Sequence, residues 1–182
     1  TLFRSRPDKK NALTNAMYGA LHQAVPERIP AAYYGCSYVT TFQTLRADEK
    51  RDVLVEIEIG GSGAAPSKDG VNAYSSGMHN NSNIPIEMIE AQMPLTITRY
   101  ALLPGTGGDG QYRGGLGLVR EWRVDSPRCF FTANMDRFFS QPYGLAGGEP
   151  GAKAAAGTTA RGVKLPAHES TEIGRASCRE RV

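Results

Sequence analysis

The residues best suited to chemistry lie between positions 60 and 117. His79 stands in Met78-His79-Asn80-Asn81-Ser82-Asn83, a polar run with no helical or strand period. An imidazole titrates near neutral pH, so His79 can polarise a carbonyl or serve as general acid or base. The plainer role is a hydrogen bond to a loop backbone. Asn81 and Asn83 each pair a donor with an acceptor, which matches an amide substrate. They suit turns in Asx or left-handed geometry equally well. Glu87 and Glu90 are three apart and share one side of a helix. They can form a base or metal-ligand pair, or salt bridges to Arg99 or Arg113. Arg113 sits among glycines and can meet a phosphate or carboxylate, or cap the glycine turn. Asp69 reads as a turn residue, and His168 is given no role.

Glycines cluster around these side chains. Gly60-Gly61-Ser62-Gly63 follows a strand pattern, and Gly107-Gly108-Asp109-Gly110 and Gly114-Gly115-Leu116-Gly117 lie further on. A phosphate loop needs Lys-Ser/Thr at fixed spacing, which is missing. A dinucleotide fingerprint needs a helix opening at the glycines, and here Pro66 and the Asp69-Gly70 turn follow instead. Gly61 and Gly63 are therefore read as points where backbone approaches a substrate or partner surface closely.

The positioning elements come from periodicity. Residues 11–25 read as a helix, with Leu13, Ala16, Met17, Ala20, Leu21 and Ala24 on one face and Pro26 as its stop. His22 near its end suits a charge–dipole contact. Residues 38–45 and 52–59 read as strands. In the second, Val53, Val55, Ile57 and Ile59 alternate with Leu54, Glu56 and Glu58, the pattern of a half-buried strand. Pro85 opens a short helix with Ile86, Ile89 and Met93 inward, and Pro94 stops it. Residues 95–103 read as a strand. Residues 118–124 and 128–135 read as a hairpin about Asp125-Ser126-Pro127, and 152–162 as surface loop. One N-terminal helix, one short helix and about five strands with glycine-rich loops make a β-rich α+β fold.

Composition narrows the class. The 182 residues are 40% hydrophobic and 21% charged, as in ordinary globular chains. No apolar run reaches the roughly 18 residues of a membrane span, so no membrane partner is expected. Residues 172–182 read as the translation of a short-read sequencing adapter. Removing their three arginines and two glutamates leaves a net charge of +2, which gives no ground for a nucleic-acid partner. Cys36 and Cys129 then remain, with no CxxC spacing for zinc or a disulfide framework. A reducing, cytoplasmic compartment follows. Thr1 is not a start methionine, and both ends are expected to be truncated.

Read together, these motifs resemble the hydantoinase B/oxoprolinase family. The residues that carry it are Gly60-Gly61-Ser62-Gly63, Asp69-Gly70, the segment 79–90, Pro94-Leu95-Thr96-Ile97-Thr98-Arg99-Tyr100 and Gly107-Gly108-Asp109-Gly110-Gln111-Tyr112-Arg113-Gly114-Gly115. Val119-Arg120-Glu121 and Tyr143-Gly144-Leu145-Ala146-Gly147-Gly148-Glu149-Pro150-Gly151 continue it. The resemblance makes residues 1–171 a C-terminal portion of such a domain. It implies an ATP-dependent amidohydrolase subunit that opens a cyclic amide such as hydantoin or 5-oxoproline. ATP and Mg would sit on a hydantoinase A-type partner or fused domain, and any divalent metal would bind upstream. An ATP-dependent ketone carboxylase, or a non-catalytic portion that docks the A-type subunit, are the alternatives. Where relatives carry Thr-Asn-Thr-Pro, this chain has Ser82-Asn83-Ile84-Pro85. Ile84 lacks a capping oxygen, so Ser82 or Asn83 must cap the helix, or its start is weaker.

Overall fold

The computed structural model describes residues 7–35, 38–46, 48–134, 137–158, 170–173 and 177–181. Cys36 and His168 lie outside them. The expected class is correct: the fold is α+β and rich in antiparallel strands, with two four-stranded sheets.

One sheet has the order β2-β1-β5-β7, from β1 (Tyr38–Leu45), β2 (Arg51–Glu58), β5 (Cys129–Asn134) and β7 (Ser170–Ile173). The other has the order β3-β4-β8-β6, from β3 (Leu95–Leu102), β4 (Leu118–Val124), β8 (Ser177–Arg181) and β6 (Ala155–Thr158). Their facing sides form the core. Phe42 on β1 lies 4.8 Å, centroid to centroid, from Trp122 on β4, and 4.8 Å from Phe131 on β5. Burying each such ring contributes about 2–3 kcal/mol before any packing term.

Three expectations need correction. The segments 118–124 and 128–135 do not pair as a hairpin, because β4 and β5 belong to different sheets. The turn between them hands the chain across the core. Ser126 is buried there, its hydroxyl 3.0 Å from the Leu45 carbonyl oxygen and 2.7 Å from that of Arg128. Within the expected surface loop 152–162, β6 forms instead, and Ala154 and Ala156 are buried. In the tail read as adapter-derived, the described backbone takes part in β7 and forms β8.

The third correction concerns the first helix, α1 (Pro7–His22). Its apolar side is the open one: Leu13 is 62% exposed and Met17 52%. The covered side carries Asn11 and Asn15, four residues apart, with Tyr18 partly buried. Two carboxamides can face inward because each finds hydrogen bonds there, which removes the cost of burying them.

Strand β2 inverts in the same way. Leu54, Glu56 and Glu58 face inward, while Val53 and Val55 are more than half exposed. Strand β3 carries a register shift between Ile97 and Arg99. Before it, Leu95 and Ile97 stand opposite Val124 and Trp122. After it, Tyr100 and Leu102 stand opposite Arg120 and Leu118. The short helix α2 (Ile86–Gln92) buries Ile89 and ends before Pro94. Its N-cap is Pro85, with no side-chain cap bond. Neither Ser82 nor Asn83 supplies the missing threonine oxygen, so the helix start lacks that stabilisation.

Candidate functional site

His79 lies at the centre of a carboxamide network between α1 and the loop 78–84. Its Nε2 contacts the side-chain amide of Asn11, and its Nδ1 lies 3.2 Å from that of Asn81. The Tyr33 hydroxyl donates to Asn11 Oδ1 at 2.9 Å. One turn along α1, Asn15 clasps the Tyr33 backbone: its amide donates to the Tyr33 carbonyl at 3.2 Å, and the Tyr33 N–H donates to its Oδ1 at 3.3 Å. The Tyr34 ring stacks on the imidazole at 6.3 Å. Burial pushes the His79 pKa below its ordinary value, which favours the neutral ring. A neutral imidazole with both nitrogens held is well oriented. It exchanges protons with a substrate only if an amide partner gives way.

The other singled-out residues separate into distinct neighbourhoods. Asn81 also pins the loop through its backbone, its N–H donating to Ser75 Oγ at 3.0 Å. Asn83 turns to the other side and donates to the Tyr100 hydroxyl. Glu87 lies exposed in the first turn of α2. Glu90 is exposed too, and its Oε1 accepts the Ile97 N–H at 2.8 Å. Arg99 pairs with Glu121 at 3.6 Å, not with either of them. Arg113 closes the glycine turn: its Nη1 donates to Asn72 Oδ1 at 3.1 Å and to the Gly114 carbonyl at 2.6 Å. Asp69 accepts the Arg113 N–H at 2.8 Å, in keeping with a turn role.

Gly61 and Gly63 do allow a close approach, and the neighbour is the chain's own backbone. A Cβ on Gly61 would overlap the Gly115 carbonyl, and one on Gly63 the Ala31 carbonyl. The loops stack through main-chain bonds, from Gly115 N–H to Ser62 O at 2.8 Å and from Ser62 N–H to Val71 O at 3.0 Å. Beside this stack lies a cavity of about 550 Å³, a size typical of small-molecule sites. Tyr34, Tyr38, Tyr112, Tyr143 and Arg137 line it together with Gly61 and Gly63. The side chains of His79, Asn81, Asn83, Glu87, Glu90 and Arg113 are not in its wall.

A second buried polar group was missed by reading the sequence. Arg120 on β4, Glu56 and Glu58 on β2 are each 3% exposed or less. Arg120 Nη1 contacts Glu56 and lies 2.8 Å from Glu58 Oε1. Its guanidinium carbon lies 4.2 Å from the Tyr100 ring centroid and 5.2 Å from that of Trp122. Burial lifts the Glu58 carboxyl to about 7, opposed by Arg120 and reinforced by Glu56. Glu56 is raised as well, by burial. It also accepts the Ile84 N–H at 3.3 Å, which joins this group to the His79 loop. The only signal in the sequence was the pair of glutamates two apart on a strand, and their partner lies more than 60 positions away.

The described residues present neither a metal-ligand cluster nor a helix opening at a glycine loop. Among the described residues, no group of three or more His, Cys, Asp or Glu side chains is placed to hold a metal. Among the described residues, none of the glycine loops opens a helix.

The two sheets with their glycine-loop stack define a class that comparison identifies. The family model for hydantoinase B/oxoprolinase matches residues 7–180, and the chain belongs to that family. It is 39% identical over 92 residues to the 5-oxoprolinase PfmaA of Pestalotiopsis fici, covering 50% of this chain and 7% of that protein. It is 32% identical over 118 residues to the caprolactamase subunit beta of Pseudomonas jessenii, covering 60% of this chain and 20% of that one. The chain thus spans a fifth or less of the length of these two relatives. A nucleotide-free acetone carboxylase structure superposes with a TM-score of 0.67 at 17% identity, over 93% of this chain and 28% of that one. At that identity the likeness shows the fold alone.

Proposed function

We propose that the chain is part of the B-type subunit of an ATP-dependent hydrolase that opens a small cyclic amide of the hydantoin or 5-oxoproline kind. The observation that carries this reading is the family match over residues 7–180, joined to relatives named for acting on 5-oxoproline and caprolactam. ATP and Mg belong, in this reading, to an A-type partner subunit or fused domain, since the described residues offer neither a nucleotide loop nor a metal cluster. Any divalent metal is held by other parts of the B-type protein. No helix of the described residues is long and apolar enough to cross a membrane.

Within this segment, His79 is the group offered to the amide. It polarises the carbonyl or moves a proton, with Asn81 and Asn83 beside it in the same loop. Gly61 and Gly63 shape the wall of the neighbouring cavity, apart from His79, where tyrosine hydroxyls stand with Glu27, Asp109, Arg137, Glu149 and Lys153.

A docking role is the second reading, favoured by the open apolar side of α1. In that case the segment seats the A-type subunit and the chemistry lies elsewhere. The test uses the full-length B-type protein with its A-type partner, ATP, Mg, and hydantoin or 5-oxoproline in turn. Ring opening that requires ATP and both subunits is expected. Bicarbonate-dependent consumption of a ketone, with no ring opening, would overturn the reading in favour of a carboxylase. His79→Ala is expected to lower turnover at least tenfold with assembly intact. Separated subunits, with turnover lost only through that separation, would favour docking.

A further inference from the structure

The amide contacts around His79 constrain where its proton sits. A neutral imidazole has one N–H and one acceptor nitrogen. Two side-chain NH2 groups therefore cannot both donate to it, and one carboxamide must present its oxygen instead. Asn11 is the better determined of the two. It is 0% exposed, and its oxygen lies 2.9 Å from the Tyr33 hydroxyl. In this geometry the Tyr33 hydroxyl is the donor and Asn11 Oδ1 the acceptor. That leaves the Asn11 NH2 pointing at His79 Nε2. Nε2 is then the acceptor and Nδ1 carries the hydrogen, which Asn81 receives on its carbonyl oxygen. Asn81 is held through its main chain by Ser75, so its side-chain amide can turn end for end with that anchor kept.

We propose that Asn11 is the positioning residue that holds His79 as the neutral Nδ1–H tautomer, with hydrogen bonds running in one direction from Tyr33 through Asn11 and His79 to Asn81. The basic nitrogen presented on this side is Nε2, and it becomes free only when the Asn11 amide withdraws. The weight of this for catalysis rests on the reading of His79 as the group offered to the substrate. The tautomer itself does not depend on that reading.

The test is a histidine-selective 15N correlation spectrum of the full-length protein, with His79 assigned by its disappearance in His79→Gln. A protonated-type nitrogen at Nδ1 and an acceptor-type nitrogen at Nε2 are expected in the unsubstituted protein. Asn11→Asp replaces the donor with a group that only accepts, so a hydrogen is expected to appear at Nε2. Tyr33→Phe removes the hydroxyl that orients Asn11, and a mixture of both tautomers is expected. An Nε2–H pattern in the unsubstituted protein would overturn the proposal, and that spectrum decides even if a variant fails to fold. An unchanged pattern in a folded Asn11→Asp would overturn it as well. If His79→Ala leaves turnover intact while the spectrum is as expected, the catalytic reading fails and the tautomer assignment stands.

Discussion

Arg120 and Glu58 meet in the interior, 2.8 Å apart, from opposite sheets and 62 positions apart in the chain. Glu56 shares the same guanidinium nitrogen, so two carboxylates face one cation away from water. One proton on the pair balances the charge. The Glu58 carboxyl is raised from 4.5 to about 7 in the folded chain, so the folded state holds that proton more tightly than the unfolded state does. The stabilisation is fully present below pH 4.5 and is lost as pH rises through about 7. The urea midpoint is expected to fall between about pH 5 and about pH 8, and Glu58→Gln is expected to flatten that dependence. A midpoint that rises over this interval would contradict it.

Removing the cation is a different perturbation. Arg120→Leu leaves two carboxylates in the core with nothing opposite, and a loss of about 3–5 kcal/mol is expected. Arg120→Lys keeps the charge but loses the flat face that lies over Tyr100 and Trp122, so only partial recovery is expected. Denaturant titration of both variants near pH 6, with the unsubstituted chain alongside, checks the order.

The loop stack depends on bare backbone at particular places. Gly61→Ala and Gly63→Ala each drive a methyl into a carbonyl of the same chain. Neither carbonyl can retreat without breaking its loop, so loss of the cooperative melt is expected. Gly110→Ala is the control, since its nearest neighbour would lie 3.4 Å away. Thermal melts that do not separate these positions would refute the stacking argument.

Cys129 is free and buried, and burial pushes its thiol up to about 11. Little thiolate forms at about pH 8, so the residue is expected to resist alkylation until the chain unfolds. Peptide mapping after iodoacetamide, with and without urea, reads this directly.

Leu13→Gln and Met17→Gln alter the open side of α1, where both residues are more than half exposed. Stability of this chain is expected to change by less than about 0.5 kcal/mol for each. A larger loss in the denaturant midpoint would mean that the side chains are covered after all.

Strand positions were readable where the local pattern decides them. β1 follows its β-branched and aromatic run, and β2 lies within one residue of the alternating stretch. Facing was not readable, because it depends on distant partners. The alternation in β2 is plain, but glutamates go inward only because Arg120 arrives from the other sheet. Likewise Leu13 and Met17 form a good apolar stripe, yet Asn11 and Asn15 are covered because Tyr33 satisfies them. The Asp125-Ser126-Pro127 turn looks like a hairpin signal, and nothing local says that it passes between sheets. His79 was picked out by its polar surroundings, and those same surroundings hold both of its nitrogens. Glu87 and Glu90 were matched by spacing alone, and spacing does not report that their helix turns them outward.

The register shift in β3 amounts to a dislocation, one surplus residue absorbed between Ile97 and Arg99. Thr98 occupies it and ties itself down by donating to the Glu121 carbonyl at 3.2 Å. In an unbroken ladder, Arg99 would arrive opposite Arg120 and set two like charges against each other in the interior. The defect moves that cation one step outward and brings the Tyr100 ring to the guanidinium instead. Excising Thr98 would heal the ladder and leave Ile97 opposite Trp122 and Tyr100 opposite Arg120. Evolution can therefore shorten this strand at one point without disturbing its interior, whereas losing Tyr100 would set a different side chain opposite Arg120.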